Sequence, residues 1–280
     1  KWSSRLMPSL FALMLALIVY VLTQDGASEG LKHYLVPDFS QITNPDLIVS
    51  AMGQAFFSMS LGVGTMLVYG SYIRADENLP TVGALVTLTD TSIAFLAGLL
   101  VLPAIFVAQK LGVTVYSDSG SLIAGPDLIF QVLPALFDGM GAAGLFVGFA
   151  FFVLMSIAAV TSSISMLEVP VSYAVESHKI DRQTATWIIG LIIFGISTAI
   201  SLNFDSLFGF VITLTTERAQ PLLSMMICIF AGWIFYRHTI LNELKSGNPN
   251  IETGLFWKLW PAYVKFVCPL LILLTFAQGF

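Results

Sequence analysis

Seven stretches of the chain are apolar and long enough to cross a bilayer, and no other feature restricts the fold as severely. They run over residues 7–22, 48–73, 82–108, 141–175, 184–202, 208–235 and 261–277. A hydrocarbon core takes roughly 20 apolar residues per helix, and lipid offers no partner to an unpaired backbone group, so these stretches are predicted to be helices. The fold class that follows is all-α, a polytopic helical membrane protein. Some stretches exceed the minimum and are therefore tilted, broken or partly outside the bilayer. Charge content decides against a water-soluble alternative: charged residues are 10% of the chain, where soluble domains carry about 25%.

The basic residues orient the spans. With a cytoplasmic N-terminus, the inside segments hold Lys1, Arg5, Arg74, Lys179, Arg182, Arg237, Lys245, Lys258 and Lys265, the outside segments hold Lys32 and Lys110, and Arg218 falls within a span. Nine against two is a positive-inside pattern. The net charge of −5 is small and scattered, which argues against nucleic acid as a partner. Cys228 and Cys268 lie in apolar runs without metal-ligand spacing and read as small buried hydrophobes.

Outside the spans, two segments are long. Residues 24–47 are polar, whereas 112–140 gain apolar weight and helical periodicity in their second half, which predicts a re-entrant or lid-like extracellular helix. The chain opens KWSSRLMPSLF, without an initiator Met, and enters an apolar helix directly. That run is too long for a signal peptide and no cleavage site follows. The expectation is a chain cut from something longer, its N-terminal helices absent.

Within the second span, Gln54-Ala55-Phe56-Phe57-Ser58-Met59-Ser60-Leu61-Gly62-Val63-Gly64-Thr65 puts glycines and hydroxyls at mid-membrane. Glycine loosens a helix interior, and backbone at lipid depth leaves helical geometry only where it lines a protein cavity. A break would expose carbonyls for a cation and N–H groups for a carboxylate. Spacing alone leaves close helix packing as an equal alternative. In the fourth span, residues 158, 161, 162 and 165 share one helical face, where Thr161, Ser162 and the Ala158 carbonyl suit a hard cation. The alternative is hydroxyls bonded back to their own helix. Acids inside a membrane are costly and usually functional, which singles out Asp90 and Glu168, and the adjacent Glu217 and Arg218. His33, His178 and His238 sit in loops or at span ends, without triad, metal cluster or phosphate loop, so the pattern is not that of an enzyme.

At GQAFFSMSLGVG, followed by YGSYIR, and at AAVTSSIS, the chain resembles the neurotransmitter:sodium symporter family in its bacterial amino-acid-transporting branch. The likeness covers almost the whole chain. It implies a partial inverted-repeat transporter bundle with a broken helix, spanning the fifth to eleventh helices of eleven or twelve. It also implies sodium-coupled symport of an amino acid or related small amine by alternating access, in the cytoplasmic membrane. By the resemblance, Phe57 closes over the substrate, and Ser60, Val63, Ser162 and Met166 surround its side chain and the break. Ser58 and Asp90 match a first Na+ site; Ala158 through its carbonyl, Thr161 and Ser162 match a second. Gln54 matches an outer-gate residue, and Tyr72 and Glu176 the inner gate, where an acid pairs with an arginine from the N-terminal helices.

Three departures bear on these roles. Val63 stands where several relatives carry Phe, which reshapes the pocket. Ala94 replaces the acid or serine that decides chloride handling, so Asp90 is expected to supply that negative charge and uptake to be chloride-independent. For the outer-gate acid, Glu217 and Asp205 are the candidates and Phe208 is excluded. In this family the first helix carries backbone ligands for both ions, so a chain lacking it is expected not to transport by itself. The competing class is a channel or a non-transporting scaffold that keeps the fold.

Overall fold

The computed structural model describes residues 2–116, 122–123 and 125–278; the side chains of Asp205 and Glu217 lie outside the described set. Eleven helical elements position everything discussed below. They are α1 (Trp2–Leu22), α2 (Ala27–Leu35), α3 (Pro45–Ser58), α4 (Thr65–Ser71), α5 (Leu79–Lys110), α6 (125–139), α7 (Ala142–His178), α8 (Arg182–Leu202), α9 (204–234), α10 (Arg237–Gly247) and α11 (255–278). Wide π turns interrupt α9 at Thr213–Ala219 and Phe230–Ile234, and α11 at Tyr263–Val267.

Four helices among the described residues are long and apolar enough to cross a membrane, or up to six if each of two bent pairs counts as one span. The bends are sharp: 115° between α1 and α2, and 99° between α9 and α10. The stretch 48–73 is not among them, because it divides into α3 and α4, of 14 and 7 residues. Of the segment 112–140, expected from the sequence to be extracellular, residues 117–121 and 124 lie outside the described residues, and the remainder ends in α6.

The chain divides into two compact units. The first comprises residues 1–39 and 91–163. Its core takes Met14, Leu17, Ile18 and Val21 from α1, Leu100, Ala104 and Ala108 from α5, Leu133, Leu136 and Phe137 from α6, and Val147, Phe151 and Leu154 from α7. Within α1 and α7 these positions recur at three- and four-residue steps, the stripe that faces a partner helix. Close approach fixes α2 on α5: a Cβ on Gly30 would lie 2.6 Å from the Pro103 Cα, and one on Gly98 would overlap the Tyr34 ring. Small residues at such contacts allow backbones to meet where lipid supplies no hydrophobic drive between helices.

The second unit comprises residues 40–90 and 164–280. Here α9 packs along α11 and against α3. Leu241, Leu244, Ile251 and Trp257 form a small core of their own where α10 turns back toward α11. Lys245 pairs with Glu252, and the hydrogen bond and charge of that lysine hold the carboxyl below its ordinary range. Trp187, Leu191, Phe194 and Leu202 along α8 are all exposed, which suits a surface dissolved in lipid rather than water.

Candidate functional site

Helix α3 ends at Ser58 and α4 begins at Thr65, and the six residues between leave helical geometry. Ser60, Gly62 and Gly64 have φ of 52°, 80° and 90°. Two of these left-handed positions are glycine, which adopts them without the steric cost a Cβ brings. Gly62 has a second reason: a Cβ there would lie 2.3 Å from the Gln220 carbonyl oxygen and 2.5 Å from Ser224 Oγ. The break therefore lies directly on α9. Gln220 holds it there, since its Nε2 donates to the Phe56 carbonyl at 2.9 Å. Thr65 and Ser224 are buried beside the break, and among the described residues neither hydroxyl has a hydrogen-bond partner. A buried hydroxyl left unpaired is costly and marks a place where a ligand or water completes the bonding. A cavity of about 490 Å³ adjoins the break, lined in part by Phe56, Ser60, Gly62, Gly64 and Ser224.

At the last residue of α3, the Ser58 hydroxyl donates to the Asp90 carboxylate, with Oδ1 at 2.9 Å and Oδ2 at 2.8 Å. Both side chains are half-buried. A hydroxyl and a carboxylate in contact at a helix C-terminus, next to carbonyls of an interrupted helix, form an oxygen-rich cluster. Sodium is a hard cation, and oxygen donors of this kind are the ones hard cations take. A cation arriving here would draw the hydroxyl oxygen toward itself and release the carboxylate from its hydrogen bond.

Helix α7 offers a different arrangement. It runs unbroken through residues 158–166, and the Thr161 hydroxyl donates to the carbonyls of Ile157 at 3.0 Å and Ala158 at 2.9 Å. Thr161 is thus beside the Ala158 carbonyl, as the shared face requires, with its proton bonded back to its own helix. Ser162 and Met166 are exposed on the same helix, and Ala158 is half-buried. Of the remaining predicted residues, Gln54 and Phe57 are exposed on α3, and Ser60 and Val63 are half-buried within the break.

Beyond the break, the two tyrosines of YGSY reach α7. Tyr69 Oη donates to Ser165 Oγ at 2.6 Å, and Tyr72 Oη donates to Glu168 Oε1 at 2.6 Å and lies 3.1 Å from Ser172 Oγ. Arg182, the first residue of α8, spans both oxygens of Glu168 with Nη2, at 2.8 and 2.6 Å. Tyr72 therefore meets Glu168, while Glu176, two turns further along α7, is exposed. Sequence reasoning singled out Glu168 as facing the bundle but not its partners. Arg182 had been counted only for orientation, although it lies fourteen residues from Glu168, across the turn between α7 and α8. Thr65 is one of the hydroxyls of the quoted run, whereas Gln220 and Ser224 were missed; the available signal was a glutamine and a serine inside an otherwise apolar span.

A family model described as the sodium:neurotransmitter symporter family matches residues 2–280. A sodium-dependent transporter of Haemophilus influenzae is 34% identical over 98% of this chain and 59% of its own length. The Bacillus subtilis sodium-dependent transporter YhdH is 32% identical over 98% of this chain and 60% of its own. The crystal structure of MhsT in complex with L-phenylalanine superimposes with a TM-score of 0.81 at 36% identity, covering 98% of this chain and 61% of MhsT. The chain thus spans about three-fifths of the length of these relatives.

Proposed function

The chain belongs to the sodium:neurotransmitter symporter family, and from that premise we propose that the protein couples inward sodium movement to uptake of an amino acid across the cytoplasmic membrane. The observation that carries the reading is the Ser58–Asp90 contact at the foot of the helix break. It supplies a carboxylate, a hydroxyl and interrupted backbone at one point inside a membrane protein, an arrangement that has little use except to hold a cation and a small polar ligand. The bound L-phenylalanine of MhsT supports an amino acid as the substrate.

In this reading Ser58 and Asp90 take one sodium ion. The Ala158 carbonyl with the Thr161 and Ser162 hydroxyls takes another, once the Thr161 proton turns away from its own helix. Phe57, Ser60 and Val63 at the break, with Ser162 and Met166 on α7, contact the substrate. The amino group and carboxylate of the substrate need acceptors and donors respectively, and an opened helix presents both. Sodium orders the break before the amino acid arrives, so each ligand raises the affinity of the other by linkage. Gln54 gates the outer side. On the inner side Tyr72, held by Glu168 and Arg182, and Glu176 gate release. Downhill sodium provides the work, about 2.3 kcal/mol per charge for each 100 mV of membrane potential.

Uptake of a panel of radiolabelled amino acids into proteoliposomes bearing the full-length parent, with sodium or chloride replaced in turn, tests this. At least one amino acid is expected to accumulate only when sodium is present, and to do so without chloride because Asp90 carries the compensating charge. Absence of sodium-stimulated uptake across the panel would sink the reading.

A further inference from the structure

By the charge bias of the loops, the cytoplasmic ends of α9 and α11 meet where both helices carry a wide turn, Phe230–Ile234 on one and Tyr263–Val267 on the other. The contact is close: a Cβ on Gly232 would lie 2.9 Å from the Lys265 Cα, and Trp233 Nε1 donates to the Lys265 carbonyl at 3.1 Å. Trp233 is the penultimate residue of α9 before the chain bends by 99° into α10. Lys265 is therefore level with the point where α9 leaves the membrane, although it lies well inside the sequence of α11. Its Nζ is 4.2 Å from the centroid of the Trp233 ring. Arg237, the first residue of α10, lies 5.2 Å from the Trp257 ring.

Between these residues is a pocket of about 320 Å³ whose walls include Gly232, Phe235, Arg237, Trp257, Trp260 and Lys265. No carboxylate lines it. Among the described residues neither Arg237 nor Lys265 forms an ion pair. A ring quadrupole attracts a cation without supplying a counter-charge, so both cations rest on aromatic faces with no neutralising anion beside them. Tryptophans congregate at the headgroup level of a bilayer. Beside the pocket, Leu255, Leu259 and Phe266 are all more than half exposed, an apolar flank along which an acyl chain can lie.

We propose that this pocket binds the phosphate headgroup of an anionic phospholipid from the cytoplasmic leaflet, with Arg237 and Lys265 contacting the phosphate and the tryptophans seating the glycerol backbone. Basic pockets between transmembrane helices on the cytoplasmic side recognise lipid phosphates in this way. A free phosphate ion would satisfy the cations equally but leave the apolar flank without a partner. The bound lipid would brace the junction of α9, α10 and α11, the same α9 on which the helix break rests.

Native mass spectrometry of the purified protein titrated with phosphatidylglycerol or phosphatidylcholine tests the proposal. Phosphatidylglycerol is expected to be preferred, and each of R237Q and K265Q to weaken that preference roughly fivefold, with about 25-fold for the pair, from about 1 kcal/mol per basic residue. The charge-preserving R237K and K265R are expected to retain it, and K258Q, on the same helix but outside the pocket, to leave it unchanged. The single variants carry the test if the double variant does not fold. The proposal fails if the wild type shows no preference, or if K258Q weakens it as much as K265Q. It fails equally if millimolar inorganic phosphate displaces the lipid.

Discussion

The break at 59–64 and the hydroxyl face of α7 present oxygen atoms to the membrane interior by opposite means. At the break the backbone itself is opened, and the conformation is imposed by left-handed residues and by contact with α9. On α7 the helix stays whole, so each carbonyl keeps its own turn and, as at Ala158, has only a second lone pair to offer beside the side-chain hydroxyls. The first device is a matter of conformation and the second of composition. Changes at the break should act on folding and binding together, whereas changes on α7 should alter a ligand and leave the fold nearly untouched.

The largest effect is expected at Gly62. Replacing it with Ala adds the cost of a left-handed residue to an overlap with the Gln220 carbonyl, about 3 kcal/mol in total. A fall in the thermal unfolding midpoint in detergent, accompanied by loss of sodium-dependent uptake, would express it. A variant as stable as the wild type would remove the claim that α9 dictates the break. Next is Asp90→Ala. Loss of a charged ligand worth about 1.5–3 kcal/mol should raise the sodium concentration for half-maximal uptake by tenfold or more. An unchanged sodium response would take the first ion away from this contact.

A smaller change is expected from Gln220→Ala, which leaves the Phe56 carbonyl without its donor and should cost about 1–2 kcal/mol of stability. Midpoints measured for this variant and for the Gly62→Ala, Gln220→Ala pair would show whether the two act as one contact, since coupled neighbours are not additive. The smallest effect on stability belongs to α7. Thr161→Val removes a hydroxyl that bonds back to its own helix, a loss of about 0.6 kcal/mol, yet it should weaken sodium stimulation severalfold. If its stability falls as far as that of Gly62→Ala, the contrast between the two regions is wrong.

Much of the architecture could be read from the chain because lipid removes alternatives: an apolar run of twenty residues has only one way to satisfy its backbone. The interruption was legible in part, since Gly62 and Gly64 loosen a helix interior, but spacing could not separate a packing notch from an opened helix. What decides between them is α9, and its contact at Gln220 and Ser224 comes from more than 150 residues away along the chain. The Ser58–Asp90 contact was anticipated through resemblance, not through any local pattern. The Tyr72–Glu168–Arg182 cluster was not anticipated, because the tyrosine and acid are 96 positions apart and meet only once α4 lies along α7. The wide turns of α9 and α11 leave no compositional mark, and two of them, Phe230–Ile234 and Tyr263–Val267, lie against each other in the fold.

Gly62 lies so close to the Gln220 carbonyl and the Ser224 hydroxyl that the break and this turn of α9 must be shaped to fit each other. For hybrid proteins assembled by exchanging segments among relatives, this sets the crossover points. A donor that brings its own break must bring its own 220–224 turn, and a junction cut between them would join two halves that never had to fit. The same three positions are where substitutions inherited together should be sought when natural variants of this chain are compared.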